Sequence, residues 1–147
     1  MRMMEHTVEC PVSREFAWRF WSNVANWAIV DPAVESVVLD GPFESGSKGV
    51  THQTGGAAIE WVLADVVQGS SAVIEIRLPG VSANFRLLFE DSEGGGASIT
   101  QTVTFEGEQL DQYDDAIKRL AEELPAGMKR LVDRIVEAEM CSRGASS

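Results

Sequence analysis

Trp21-Ser22-Asn23-Val24-Ala25-Asn26-Trp27-Ala28-Ile29-Val30-Asp31-Pro32 decides how the chain is read, because it joins a helical pattern to a strand pattern. Upstream, Phe16, Phe20 and Val24 recur at i, i+4 and i+8, with Ala17 and Trp21 beside them, so a broad apolar stripe faces one way. Ser13, with Glu15 and Phe16 beyond it, is placed to cap the start of that helix. At the far end Pro32 lacks an N–H and restricts Asp31, so helical character stops and a strand is expected over Val34–Leu39. Before the helix, Thr7-Val8-Glu9-Cys10 alternates as a first strand until Pro11 ends it.

Beyond the seam the chain reads as a meander of strands. Gly46–Gly49, Gly55-Gly56, Gly69-Ser70, Pro79-Gly80 and Gly94-Gly95-Gly96 each separate two alternating runs. In Ser98–Glu106 the residues Ile99, Gln101, Val103 and Phe105 share a face, which makes Gln101 a polar residue among buried ones. The same parity turns Phe85, Leu87 and Phe89 inward, with Ile74, Ile76 and Leu78, and Ile59, Trp61 and Leu63 completing the lining. After Glu106 the period changes to 3.6. Ile117, Leu120, Leu124, Met128, Leu131 and Ile135 then mark one face of a long helix, which Pro125 is expected to kink or divide. A single domain over 1–141 with a disordered tail at 142–147 is the expected organisation.

Composition removes several classes of partner. The 147 residues carry 12 Lys plus Arg against 23 Asp plus Glu, a net charge of −11 that repels phosphate backbones and anionic headgroups, so no nucleic acid is expected. No run of 18 apolar residues occurs and the start lacks a signal-like apolar stretch, so stable membrane insertion is not expected and a cytoplasmic location is. Cys10 and Cys141 lie near opposite ends and read as free thiols. With two histidines and no HxH, HExxH or CxxC spacing, no metal and no cofactor are expected.

Four pieces in this order, Trp21–Trp27, Leu39-Asp40-Gly41-Pro42-Phe43, Gly46-Ser47-Lys48-Gly49 and Leu124–Leu131, resemble the SRPBCC superfamily. Within it the chain is most similar to the START-like and birch-pollen-allergen-like domains and the polyketide cyclase/dehydrase and lipid-transport grouping. The resemblance covers about the first 140 residues. It implies an α+β helix-grip fold, a curved antiparallel seven-stranded sheet wrapped around the C-terminal helix, with two short helices between strands 1 and 2 and a hydrophobic cavity within. The alternatives are a cystatin-like or nuclear-transport-factor-like α+β cone, which usually starts with its helices, and a lipocalin-like barrel, which usually lacks the helical segment between its first two strands.

Residues expected to touch a ligand are Trp27, Asp31, His52, Trp61, Phe85, Phe89, Gln101 and Met128. Trp27, Asp31 and His52 are expected to meet at the cavity mouth, where an aromatic, a carboxylate and an imidazole would supply polar specificity or move a proton. Each has a plainer alternative: Asp31 before Pro32 fixes a turn, and an inward His is a satisfied core or rim residue. His6 shares parity with Val8 and Cys10 and is expected to face inward or cap the cavity end. Gln101 suits a ligand carbonyl, a backbone group or a buried water equally. Trp18 reads as helix surface or interface, Trp21 as core. Three functional classes stay open: a binder or transporter of a lipid-, sterol- or polyketide-like molecule, a cyclase or dehydratase using the same cavity, and an interaction domain with a filled core. The expected partner is a hydrophobic small molecule, and a homodimer is left open beside a monomer.

Overall fold

The computed structural model describes residues 1–145. Strand β1 (Arg2–Cys10) ends at Pro11, and Ser13 caps helix α1 (Arg14–Ser22), its Oγ accepting from the Phe16 N–H at 3.3 Å. A 3-10 turn (Val24–Asn26) and the one-turn helix α2 (Trp27–Val30) follow. Then come β2 (Val34–Asp40), β3 (Lys48–Gln53), β4 (Ala58–Val67), β5 (Ser71–Leu78), β6 (Val81–Asp91) and β7 (Ala97–Glu106). A 3-10 turn (Leu110–Tyr113), which no strong periodicity announces, leads into α3 (Asp114–Ala145).

All seven strands form one antiparallel sheet in the order β1-β7-β6-β5-β4-β3-β2, so the first strand closes beside the last. This is the expected helix-grip arrangement. Helix α3 packs on β1, and α1 and α2 pack on α3. An ion pair from Arg2 to Asp114 ties the first residue of α3 to the start of β1. Two apolar clusters result. Ile117 meets Val81, Ala83, Val103 and Phe105, while Leu124, Met128, Leu131 and Ile135 join the core that holds Trp18, Trp21, Trp61 and Phe89.

Pro125 does not divide α3. Its missing N–H removes one helical hydrogen bond, but the helix continues for twenty residues with Met128, Leu131 and Ile135 buried, and that packing outweighs the loss of one bond. Nor does the chain leave the helix at 142: α3 runs through Ser142–Ala145, and residues 146–147, the rest of the expected tail, lie outside the described residues. Trp18 is a second correction. It is core, edge-on to Phe89 at 5.5 Å, because the buried stripe of α1 is centred on Ala17, Trp18 and Trp21 and leaves Phe16 and Phe20 at its margins.

Candidate ligand-binding site

Parity along β6 and β7 builds the inner face as the sequence implies. On β7, Ile99, Val103 and Phe105 are buried, and on β6 so are Ala83, Leu87 and Phe89. Two members of these rows differ. Gln101 lies between Ile99 and Val103, both 0% exposed, yet keeps accessible surface; Phe85 does the same between buried Ala83 and Leu87. Their strands are the second and third of the sheet, so no sheet edge accounts for it. Since the main chain at Ile99 and Val103 is fully covered, the open area at Gln101 belongs to its inward side chain.

His6 adds to this patch. It stands directly opposite Gln101 across β1 and β7, as Gln101 stands opposite Leu87 across β7 and β6. It is partly buried on the same face as Met4 and Val8, both packed on the core. The expectation that His6 faces inward and that Gln101 is a polar member of the inner face thus agrees with the register. On the opposite face of the same ladder, polar residues satisfy one another: Thr7 Oγ1 and Thr100 Oγ1 share a bond of 2.8 Å, and Thr102 Oγ1 donates to Glu5 at 2.8 Å.

The other end of the inner face is filled with rings. Trp21 and Trp27 stack at 5.7 Å with an interplanar angle of 25°, and Trp27 lies 5.2 Å from Trp61. Phe43 and Phe89 close around Trp18 and Trp21. Two indoles of the row are oriented by hydrogen bonds: Trp27 Nε1 donates to the Trp21 carbonyl at 2.7 Å and Trp61 Nε1 to Thr51 Oγ1 at 2.9 Å. Trp61, Phe89 and Met128 are therefore core, while Trp27 keeps some accessible surface at the edge of the cluster.

Asp31 and His52 do not turn inward to join Trp27 as expected. Asp31 is exposed and its Oδ1 accepts from the Ala33 N–H at 2.9 Å, the turn-fixing role that Asp-Pro sequences often play. His52 is exposed on the outer face, opposite Ser36 and Ala58. The reason lies in β3, where Gly49 and Thr51 turn inward beneath the Trp61 indole, so Val50 and His52 must turn out. Val50 joins Val38 and Val62 in a surface groove of about 470 Å³ rimmed by Lys48, Glu60 and Arg77. A second surface concavity, about 390 Å³, lies near Cys10 and Gly94. Neither includes the accessible inner residues.

Electrostatics on the inner face are muted. Burial pushes the Cys10 thiol up, which makes it a poor nucleophile. Both cysteines are free. Among the described residues no three His, Cys, Asp or Glu converge as metal ligands, and neither histidine is paired with a carboxylate. The Arg130 Nε is buried without a partner, and its guanidinium folds back toward Gly127, 3.6 Å from where a Cβ would stand.

The model for polyketide cyclase/dehydrase and lipid-transport proteins matches residues 1–137. The chain belongs to that family. Among solved structures, a norcoclaurine synthase point mutant of Thalictrum flavum, in complex with a transition-state analogue, aligns with a TM-score of 0.72 at 12% identity, over 94% of this chain and 96% of that one. Ara h 8.0201 aligns with a TM-score of 0.70 at 14% identity, over 92% and 98%. Protein MLL2253 of Mesorhizobium loti reaches 0.74 at 11% identity, over 93% and 98%. At such identities the likeness is one of fold. Among curated proteins no sequence matches significantly. No helix of the described residues is long and apolar enough to cross a membrane.

Proposed function

We propose that this member of the polyketide cyclase/dehydrase and lipid-transport family binds a hydrophobic small molecule on the inner face of its sheet, where β1, β6 and β7 lie beneath α3. The observation that carries the reading is the accessible surface of Phe85 and Gln101 on central strands whose neighbouring inward residues are covered. A filled interior gains nothing from leaving a Phe ring partly uncovered at its centre. A ligand placed there would bury that ring and Met4, each contributing on the order of 25 cal/mol per Å² of apolar area removed from water. The ring cluster of Trp21, Trp27 and Trp61 closes the other end as a rigid wall.

Binding is favoured over catalysis because the residues best suited to move a proton lie apart: Asp31 holds a turn and His52 faces out, and His6 has no carboxylate to orient or tune it. Titration with the neutral fluorophore N-phenyl-1-naphthylamine tests the reading. Saturable one-to-one binding that weakens severalfold in Phe85→Ala, with native mass spectrometry showing a retained small molecule after expression, is expected. Fluorescence that rises without saturation, and equally in Phe85→Ala, would overturn it.

A further inference from the structure

The polar side chains of the inner face carry information about the ligand that the apolar ones do not. His6 and Gln101 stand directly opposite one another on β1 and β7. Directly opposed residues have Cβ atoms about 4.5–5.5 Å apart, so one small group placed between the two side chains reaches both. Neither forms a hydrogen bond or an ion pair with any described residue. Around them the inner face is apolar: Met4 and Val8 on β1, Ile99 and Val103 on β7, and Leu87 across from Gln101.

The contrast with the other face of the ladder is what makes this informative. One residue along, Thr7 pairs with Thr100, and Glu5 with Thr102. The two outward pairs that flank the His6–Gln101 position are thus bonded, and the inward pair between them is open. Their polar atoms are not sealed off, since among the described residues Arg130 Nε alone is buried without a partner, so a ligand that displaces solvent at His6 and Gln101 must supply the hydrogen bonds that solvent made.

We propose that His6 and Gln101 form a clip for a hydroxyl group, and that the ligand is an apolar molecule bearing one at the end that lies over β1 and β7. The proposal rests on the binding reading above. The chemistry favours a hydroxyl over a carbonyl. A neutral imidazole offers one donor and one acceptor, and the Gln101 amide offers two donors and an acceptor. A hydroxyl donates to an acceptor of one and accepts from a donor of the other at the same time. A carbonyl only accepts, and would leave the acceptors of the pair facing apolar surface. Phe85, diagonal to Gln101 on β6, is placed to cover the apolar body beside the hydroxyl.

Competition against N-phenyl-1-naphthylamine with 2-naphthol and 2-methylnaphthalene separates the two claims. These ligands match in shape, and apolar transfer alone favours the methyl compound. The clip predicts the opposite order: 2-naphthol bound about fivefold tighter or more, the size of one neutral hydrogen bond. Gln101→Leu and His6→Leu should each reduce or reverse that preference, read as the ratio of the two affinities within each variant. Gln101→Met serves where the leucine variant unfolds, and the order measured on the unaltered protein needs no variant. Saturable dye binding with 2-methylnaphthalene equal or preferred would overturn the clip and leave the binding reading standing. No saturable dye binding at all would overturn both.

Discussion

Replacing Gly49 with Ala tests the ring cluster where the structure is least forgiving. A Cβ at Gly49 would stand 2.3, 2.4 and 2.7 Å from three ring carbons of Trp61, whereas carbon atoms pack at about 3.5–4.0 Å. The indole would have to retreat by about 1.2 Å or more. It has little room, since Trp61 is 3% exposed, lies 5.2 Å from Trp27 and is held by its bond to Thr51 Oγ1. Overpacking of this kind costs about 1–3 kcal/mol, and losing the indole hydrogen bond adds about 1. Without the clash, Ala in place of Gly in a strand interior would stabilise by about 0.5–1 kcal/mol, so the sign of the effect is itself diagnostic. Urea unfolding should show Gly49→Ala destabilised by about 2–4 kcal/mol at unchanged m-value. In a Trp61→Leu background the same substitution should cost far less, giving a coupling of at least about 1 kcal/mol. A loss below about 0.5 kcal/mol, or equal losses in both backgrounds, would refute the packing of Trp61 over Gly49.

Three further outcomes are expected. Leu131→Ala removes a buried side chain from the face of α3 that meets the core and should cost about 2–5 kcal/mol in denaturant unfolding; a change at the surface level, under about 0.5, would make α3 peripheral. The guanidinium of Arg2 and the ammonium of Lys118 hold the Asp114 carboxyl below its ordinary value, so the stability it adds is present at neutral pH and lost as the pH falls below about 4 through the depressed value. Urea midpoints at pH 7 and pH 3 should therefore differ less in Asp114→Asn than in the unaltered protein, and equal differences would remove Asp114 from the acid response. His52→Gln should change neither the unfolding midpoint, within about 0.5 kcal/mol, nor dye affinity; a severalfold loss of affinity would restore His52 to the binding face.

The fold was legible because its signals are local. Alternation over Ser98–Glu106 and Val81–Asp91, glycine turns between the runs, and a 3.6-residue period after Asp114 each state their element within a dozen residues. The errors arose where one residue's place depends on a distant neighbour. Val50 is apolar yet faces out, because the inward places of β3 go to Gly49 and Thr51, the small residues that fit under the indole of Trp61. That complementarity joins two strands and has no trace in β3 alone, so the outward turn of His52 is not readable from its own strand. Trp18 was misjudged because α1 carries four aromatic residues, and which three-residue arc meets Phe89 and Phe43 depends on the sheet it docks against. At the candidate site, the inward parity of Gln101 was readable from β7, and that of His6 from β1. Their opposition was not, because register between residues 95 positions apart is set by the whole sheet.

The central claim is that a ligand enters on the inner face beneath α3 and not in the outer groove of Val38, Val50 and Val62, whose Val38 is 57% exposed. The most direct measurement is an NMR titration with 2-naphthol, following backbone amides and the side-chain amide of Gln101. The account predicts saturable shifts centred on Met4, His6, Phe85 and Gln101 and on the facing turns of α3, with the amides of Val38, Val50 and Val62 unmoved. Shifts centred on those three valines, or no saturable shifts anywhere, would contradict it.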